Sequence, residues 1–498
     1  MLNGKYKFKK WASVMAAIPA LMIGSCTDLS EEVYNTVLTD EYGKTPAEIE
    51  TIVGRAYASM RGYDGNWTLE FPLFLVEGAS DEAVIPTRGT DWFDGGLHQD
   101  IQRHQWTVNN VAIEKSWNIY FTGVSKVNSI IYEIDKAELS DEDKNNIKAE
   151  LRGLRAYYYY VLCDLFGNVP LQTDFSDKEL KSNTSRSEIF DFIESELLDV
   201  IDYLPASGYG KFTKNVGYSM LARLYLNAEV FKGEAMWQKA IDAADQVTGY
   251  SLEGNIFDNF LKENEGSSEN IFVIPFDESV TIGNYWQSLY LHYKSGIAFE
   301  INAWCGNGMC AEPKVWGLYD EADKRRNGLL EGPLLAPDGT QLLQDDGNPV
   351  IHTPEITSLE NAKQGDGVRN IKYEIAKGDN WERSNDWVLI RYAEIVMIKA
   401  EALMRLGRTS EAQSLVAQVR DRAGLSTPTD IDLDFMYDEL LREFVWEGHR
   451  RTDQIRFGRF GEAWWAKEVS EPYRTIFPIP ANAMAANAKL VQNPGYSN

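Results

Sequence analysis

The strongest constraint on the fold is a set of paired segments in which apolar residues return every three or four positions. One pair covers residues 395–406 and 410–423, and Gly407 between them is a natural helix C-cap residue. An earlier pair covers residues 216–231 and 235–248. The same periodicity occurs in residues 46–63, 113–135 and 143–166. The chain is therefore predicted to be mostly α-helical.

Small residues occupy the positions where paired helices would touch. Ala222 lies in the run LARLYL, and Ala240 lies in the run WQKAI of the next segment. Such positions let two helices pack closely, and the pattern resembles tetratricopeptide repeats. Because the spacing between pairs is irregular, we expect a scaffold of several helix pairs and not a uniform solenoid.

Residues 249–385 interrupt this pattern. Short β-like runs such as residues 270–275 lie there among many Gly, Asn and Asp residues, and few stretches are both periodic and long enough for a helix. This composition predicts a loop-rich, weakly β insertion. Loops carried on a rigid scaffold often hold binding specificity, so we expect this insertion and residues 63–106 to form a binding face.

The first 26 residues predict export and a lipid anchor. Four lysines precede the apolar residues 11–23, a run too short to span a bilayer comfortably. It ends in LMIGSC, which resembles a bacterial lipobox, so Cys26 would carry diacylglycerol and a further acyl chain such as palmitate. Asp28, Glu31 and Glu32 then resemble the tag of surface-exposed lipoproteins. A plain secretion signal is the alternative.

Charge and cysteine content exclude several classes of partner. A formal net charge of -26 would repel nucleic acid and anionic lipid. Cys163 lies in a helical run and is expected to be buried. Cys305 and Cys310 could close a small disulfide loop in an oxidising compartment. Neither cysteine has a zinc-type spacing to a histidine, so we expect no metal site and no cofactor.

The C-terminal third carries an ordered set of motifs. The motifs are LIRYAEI at 389–395, KAEAL at 399–403, VRDRAGL at 419–425, EFVWEGHRRTDQIR at 443–456, FPIP at 477–480 and QNPGY at 492–496. Together with AELRGLRA at 149–156 and DLFGNVP at 164–170, this set resembles the SusD/RagB family over nearly the whole chain after the signal.

The resemblance implies a tetratricopeptide-like scaffold with a variable loop face. It further implies that this face captures a glycan outside the outer membrane, and that the protein closes like a lid over a TonB-dependent channel of the SusC type. No catalysis is implied. Peptide or glycopeptide capture for the same kind of channel is the alternative, and a glycosidase would need two opposed carboxylates that the sequence does not single out.

The charged motif around His449 has two interpretations. Glu447, His449 and Asp453 could act in general acid–base chemistry. The interpretation we favour is an ion-pair network that fixes a late helix to the scaffold, with Arg450 and Arg451 reaching carboxylates such as Glu443 or Asp453.

Glycan recognition requires an aromatic platform and planar polar groups that bind neighbouring hydroxyls. In residues 80–96 the leading candidates are Trp92 and Asp91, with Asp81 nearby, and the alternative is that Trp92 packs beneath its loop. The other candidate ligand-binding residues are Asp64, Asn66, Trp67, Trp304, Cys310, Arg369 and Trp381. For the 304–310 loop the alternative is a purely structural clip.

These observations divide the chain as follows. We expect a signal peptide at 1–25, a lipidated tether at 26–48, and a single body at 49–498 that contains helical repeats at 49–250 and 386–460, a loop-rich ligand region at 251–385 and a tail at 461–498. The sequence leaves the glycan open among fructans, glucans and hemicelluloses. It also leaves open a calcium requirement, although no EF-hand spacing is present.

Overall fold

The computed structural model describes residues 45–63, 66–279 and 283–497, and for Pro46, Tyr63, Asn66 and Trp67 it describes the backbone alone. The α-helices are α1 (Pro46–Arg61), α2 (Glu70–Gly78), α3 (Leu97–Gln102), α4 (Val111–Lys136), α5 (Asp141–Phe166), α6 (Arg186–Val200), α7 (Lys214–Leu226), α8 (Ala228–Lys232), α9 (Trp237–Ala244), α10 (Trp286–Tyr290), α11 (Ser295–Ala298), α12 (Pro313–Gly317), α13 (Tyr392–Arg405), α14 (Thr409–Arg422), α15 (Leu433–Phe444), α16 (Arg450–Arg456) and α17 (Ala481–Ala486).

The β-structure consists of short antiparallel pairs. The strands are β1 (Gly62–Tyr63), β2 (Asn66–Trp67), β3 (Ala83–Val84), β4 (Val169–Pro170), β5 (Asn183–Thr184), β6 (Asn270–Ile274), β7 (Cys310–Ala311), β8 (Leu329–Leu330), β9 (Gly332–Pro333), β10 (Ile351–His352), β11 (Arg369–Asn370) and β12 (Trp387–Arg391). They pair as β1–β2, β3–β7, β4–β5, β6–β12, β8–β11 and β9–β10. The predicted fold class, mostly α with a loop-rich and weakly β insertion, is confirmed.

Most predicted helices are present, with specific differences. Residues 216–231 form two helices, α7 and α8, which meet at Asn227. Gly407 follows α13 with a φ of 76°, the left-handed conformation expected after a helix end. Helix α2, by contrast, lies inside residues 63–106, which were expected to be loop. Its buried residues occupy consecutive positions, so it shows little of the one-sided periodicity that marks a surface helix.

The helices stack in sequence order, and the insertion interrupts that order once. Helix α5 packs between α4 and α6, and α9 packs against α7 on one side and α13 on the other. Although the insertion separates α9 from α13 in the chain, the two are neighbours in space. Strands β6 and β12 pair at the two ends of the insertion, with Trp387 opposite Ile274. The scaffold is therefore continuous beneath the insertion.

The charged motif forms a buried ion-pair network, but its partners differ from those expected. Arg450 Nε donates to Asp81 Oδ1 at 2.6 Å, and Arg451 Nη1 donates to Asp164 Oδ2 at 2.8 Å. Glu443 instead binds arginines of other elements, among them Arg391, whose Nη1 lies 2.7 Å from Glu443 Oε1. The network thus joins α16 to α5 and to the segment that follows α2. Among the described residues no helix is long and apolar enough to cross a membrane.

Candidate aromatic binding surface

The β3–β7 pair brings the two candidate loops together. Ala83 lies opposite Ala311 and Val84 lies opposite Cys310, so residues 80–96 and 304–310 run side by side although more than 200 positions separate them. We use "platform" below for the aromatic side chains that these loops and their neighbours present: Trp92, Trp304, Trp381 and Tyr285.

Trp92 lies half-buried on the backbone of the 304–310 loop. Its Nε1 donates to the Gly306 carbonyl oxygen at 2.6 Å, and its ring contacts Phe74 of α2 edge to face at 6.2 Å between centroids. Its φ is 63°, a conformation that a bulky residue rarely adopts. Such strain, about 1–3 kcal/mol, is typical of residues held in place for a function. Trp92 therefore packs on the 304–310 loop and keeps an exposed portion, and its part in ligand binding stays a prediction.

The two glycines of the 304–310 loop are required for this contact. A Cβ at Gly308 would lie 2.6 Å from Trp92 Cζ2 and 2.8 Å from the Leu289 carbonyl oxygen. A Cβ at Gly306 would lie 3.0 Å from Trp92 Cζ2 and 3.2 Å from Trp304 Cη2. Real Cβ atoms essentially never approach as closely as at Gly308, and the distances at Gly306 are tighter than most, so the two glycines let both rings meet at one strip of backbone.

Trp304 is the most exposed ring of the platform, with 62% of its surface accessible. Its centroid lies 5.4 Å from that of Trp381, and Trp381 stacks on Tyr285 at 5.5 Å with 20° between the planes. Tyr285 is buried, and its hydroxyl donates to Glu70 at the start of α2. Trp381 thus packs against both Trp304 and Tyr285, and it exposes less of its surface than Trp304 does.

Polar groups border the platform. Asp91 is exposed, and its Oδ2 accepts from the Tyr293 hydroxyl at 2.5 Å. Burial and this hydrogen bond raise the pKa of Tyr293. Asp94 lies 3.3 Å from His98, whose hydrogen bond to Asp94 lowers the pKa of that carboxyl. The side-chain oxygens of Asp91 and Asp94, next to Trp92 in the chain, are hydrogen-bond acceptors suited to donors such as hydroxyl groups.

Three predicted ligand residues lie in the interior. Asp81 is 3% exposed and binds Arg450 and Lys314. Burial alone would raise the pKa of Asp81, but these two cations outweigh it and lower the pKa. Arg369 and Cys310 are 0% exposed. None of the three is accessible to a glycan, and each has a structural role that its sequence context did not reveal.

The suggested disulfide is absent, because Cys305 and Cys310 are free thiols. Cys305 packs with Leu291 and Ile301, whereas Cys310 packs with a separate apolar cluster around Val84. Burial raises the pKa of the Cys305 thiol to about 11. The loop is held by other means, described below.

Four predicted residues cannot be placed from their side chains. Cys26 and Asp64 lie outside the described residues, and only the backbone of Asn66 and Trp67 is described. Conversely, the sequence-based candidates omitted Phe93, which is 56% exposed beside Trp92, and also Tyr285 and Tyr293. Aromatic residues in an Asn- and Gly-rich stretch were the available signal for these tyrosines. Among the described residues no group of three His, Cys, Asp or Glu side chains is arranged to hold a metal ion.

Two family models match separate parts of the chain. The model of the SusD family matches residues 316–470, and one described as "Starch-binding associating with outer membrane" matches residues 85–226. The starch-binding protein SusD of Bacteroides thetaiotaomicron is 27% identical and aligns with 73% of this chain and 75% of its own. SusD-like protein P2 of Formosa agariphila is 25% identical and aligns with 98% of this chain and 100% of its own.

Solved structures share the fold at low sequence identity. A laminarin-binding SusD-like protein superposes with a TM-score of 0.73 at 22% identity, covering 91% of this chain and 100% of its own. The surface glycan-binding protein A of Bacteroides thetaiotaomicron in complex with laminarihexaose gives a TM-score of 0.73 at 21% identity, covering 90% of this chain and 100% of its own. The two family models together match more than half of the chain, the relatives agree with them, and this chain belongs to the SusD family.

Proposed function

We propose that this protein binds oligosaccharide at the cell surface and delivers it to a SusC-like TonB-dependent channel of the outer membrane, without catalysis of its own. The observation that carries the proposal is the platform, where the exposed ring of Trp304 lies next to Trp92 and the Asp91 carboxylate. Flat rings can stack on the apolar face of a sugar, and carboxylates accept from its hydroxyl groups. The resemblance to glycan-binding members of the family supports the same ligand class.

Neutral glycans fit this site better than anionic ones. The chain carries a formal net charge of -26, and Asp91 and Asp94 lie beside Trp92. A polysaccharide rich in carboxylate or sulfate would be repelled over the distances that salt does not screen. Anchoring through Cys26 would keep the site outside the cell, where such polymers are met before uptake.

The proposal is tested by isothermal titration calorimetry of the full chain in detergent against glucan, fructan and xylan oligosaccharides. We expect binding to at least one of them, and we expect Trp304→Ala and Trp92→Ala each to weaken it by about tenfold or more, the size of one lost stacking contact. Trp237→Ala is the matched control, because Trp237 lies on α9 and stacks with Arg405. Heat with peptides alone would favour peptide capture instead, and release of reducing sugar would contradict a purely binding role.

The delivery step is tested separately. Gentle solubilisation of native outer membranes, followed by affinity purification of this chain, should recover a TonB-dependent barrel protein in stoichiometric amount. Recovery of the chain alone, under conditions that preserve other membrane complexes, would leave glycan binding standing and contradict the delivery step.

A further inference from the structure

Two buried arginines hold the 304–310 loop where a disulfide was expected. Arg88 is 4% exposed, and its Nη1 donates to the carbonyl oxygens of Asn307 and Gly308 at 2.7 and 2.8 Å. Its Nη2 donates to the Asp366 carbonyl oxygen at 2.9 Å. Arg88 therefore joins the backbone of Asn307 and Gly308, on which Trp92 packs, to the 363–367 loop.

Arg369 binds the same segment through the Asn307 side chain. Its Nη2 and Nε donate to Asn307 Oδ1 at 2.7 and 3.2 Å, and its Nη1 donates to the Asp366 carbonyl oxygen at 2.8 Å. Asn307 is 0% exposed and has a φ of 48°, a left-handed conformation that asparagine tolerates better than most residues. The backbone amide and carbonyl of Asn307 are also bonded, the amide to the Leu291 carbonyl oxygen at 2.8 Å.

This arrangement is unusual for its charge. The oxygen acceptors of both guanidinium groups are backbone carbonyls and the Asn307 amide, which are neutral. Burial and the nearby charge of Arg88 lower the pKa of Arg369 to about 9. Two like charges buried close together oppose folding, and buried ionic groups are weak contributors to net stability. Their hydrogen bonds do, however, fix the geometry of this short segment at three oxygens, the Asn307 and Gly308 carbonyl oxygens and Asn307 Oδ1.

We infer that Arg88 and Arg369 are positioning residues for glycan binding: by holding Asn307 in its left-handed conformation they set the strip of backbone on which Trp92 and Trp304 meet. The inference rests on the proposed function and names the residues that fix the spacing of the two rings. We call the hydrogen bonds of Arg88 and Arg369 to Asn307 and Gly308 the clamp. Trp304 precedes these two residues in the chain and Trp92 packs on them, so the clamp orients both rings. A ligand long enough to touch both rings depends on the clamp, and a ligand that touches only one does not.

The first test needs no ligand. The contribution of Trp92 to the near-ultraviolet circular dichroism is measured as the difference between the full chain and its Trp92→Phe variant. Phe74 and His98 lie within 6.2 Å of the Trp92 ring, so this contribution reports its orientation. We expect Arg369→Met and Asn307→Ala to abolish the difference. Asn307→Asp should restore it, because aspartate keeps the acceptor for Arg369 and tolerates the left-handed conformation. An unchanged difference spectrum in Arg369→Met or Asn307→Ala would overturn the inference.

The second test measures the affinity for laminari-oligosaccharides of two to six residues by calorimetry. In the unmodified chain the affinity should rise with ligand length as the second ring is engaged. In Arg369→Met the affinity for the longest ligand should be about tenfold lower than in the unmodified chain, and the affinity for the shortest should not change. Arg474→Met is the matched control, since Arg474 also donates to a backbone carbonyl, that of Trp106 at 2.7 Å. Equal losses at every length in both variants would overturn the inference.

The two failures are distinguishable. If none of these oligosaccharides or the wider glycan panel binds the unmodified chain, the proposed function fails, and the difference spectrum still decides whether the clamp positions Trp92. If Arg369→Met does not fold, the Asn307→Ala and Asn307→Asp pair supplies the same comparison in both tests.

Discussion

Buried arginines in this protein are paired in two different ways. Arg88 and Arg369 bind neutral oxygens, as described above, whereas Arg391 binds Glu269, Glu443 and Glu447. Burial alone would raise the pKa of Glu447, but Arg391 and Lys372 outweigh it and lower the pKa to about 2. Glu447 therefore stays ionised far into the acid range, and its pair with Arg391 persists there.

Removing one carboxylate should expose how much this network matters to folding. Glu443→Gln leaves Arg391, Arg422 and Arg325 with a missing counter-charge in the interior. Breaking a buried pair from one side costs about 3–5 kcal/mol. We expect a loss of that size in urea unfolding at pH 7. Glu411→Gln, which breaks an exposed pair with Arg408, is the control and should change stability little. Equal effects in the two variants would contradict this account.

A second pair of carboxyls responds to pH with the opposite sign. Glu77 accepts from the Gly448 amide and Glu82 accepts from the Trp446 amide, and the remaining oxygen of each has no donor among the described residues. A proton held by one carboxyl would bond it to the other. Burial raises the pKa of Glu77 to about 7, and burial together with the charge of Glu77 raises the pKa of Glu82.

Because the folded-state pKa lies above the unfolded value, this stabilisation is complete below about pH 4.3 and is lost as the pH rises through 7. Each unit by which the folded-state pKa is raised contributes about 1.4 kcal/mol to the decline in unfolding free energy with rising pH. We expect Glu77→Gln to remove this contribution, about 2–3 kcal/mol between pH 5 and pH 8. Urea titrations of both proteins at the two pH values measure it. A variant that declines as steeply as the unmodified chain would show that the pair does not share a proton.

Ion-pair partners were beyond prediction from sequence for a simple reason. The charged motif correctly indicated a network, but Arg450 binds Asp81, which lies 369 positions away in the sequence. Periodicity describes local faces of one helix and carries no information on which distant loop will meet it. The same limit explains why two candidate ligand residues, Arg369 and Asp81, lie in the interior, whereas Trp304, in a Gly-rich loop, is exposed.

At the scale of elements, close helix packing depends on glycine at particular positions. A Cβ on Gly123 of α4 would lie 2.5 Å from Tyr158 Cζ of α5, whereas a Cβ on Gly54 of α1 would meet nothing within 4 Å. Helix α4 can therefore lie this close to α5 only because Gly123 has no side chain, which lets the Tyr158 ring rest directly on its backbone.

These two glycines make a matched pair of variants. We expect Gly123→Ala to destabilise the fold by about 1–3 kcal/mol, because the buried Tyr158 ring must move. Gly54→Ala should stabilise it by about 0.5–1 kcal/mol, because glycine is unfavourable inside a helix. Urea unfolding at a single pH measures both. Destabilisation by Gly54→Ala as well would mean that α1 packs differently from the structure described.

Helices with one apolar face were predictable from sequence, and others were missed for identifiable reasons. Helix α2 lacks a polar face because consecutive residues are buried. Helix α6 was not singled out, yet Ser185 and Glu188 form a capping box at its start, a signal that would have located it. Short strands such as β3 and β7 carry too few residues for a period of two to be visible, so the pairing of the two candidate loops could not be foreseen.

For the whole molecule, the remaining prediction concerns attachment. Cys26, the predicted site of acylation, lies outside the described residues. We expect Cys26→Ser to abolish labelling by radioactive palmitate and to move the protein from the membrane fraction to the soluble fraction, because stable anchoring requires the acyl chains. Retention of the variant in the membrane, with no label, would indicate attachment through a partner.

The β6–β12 pair gives the architecture a modular quality. Because Ile274 lies opposite Trp387, the chain leaves and re-enters the scaffold at one point, and α9 packs on α13 although the insertion lies between them in the sequence. A replacement for the intervening segment would have to supply the buried contacts that this segment makes with the helical body, such as those of Arg325 and Lys372 with Glu443. With those contacts retained, evolution could change the ligand by exchanging this one segment. A protein engineer could do the same by joining a foreign segment at the two paired strands.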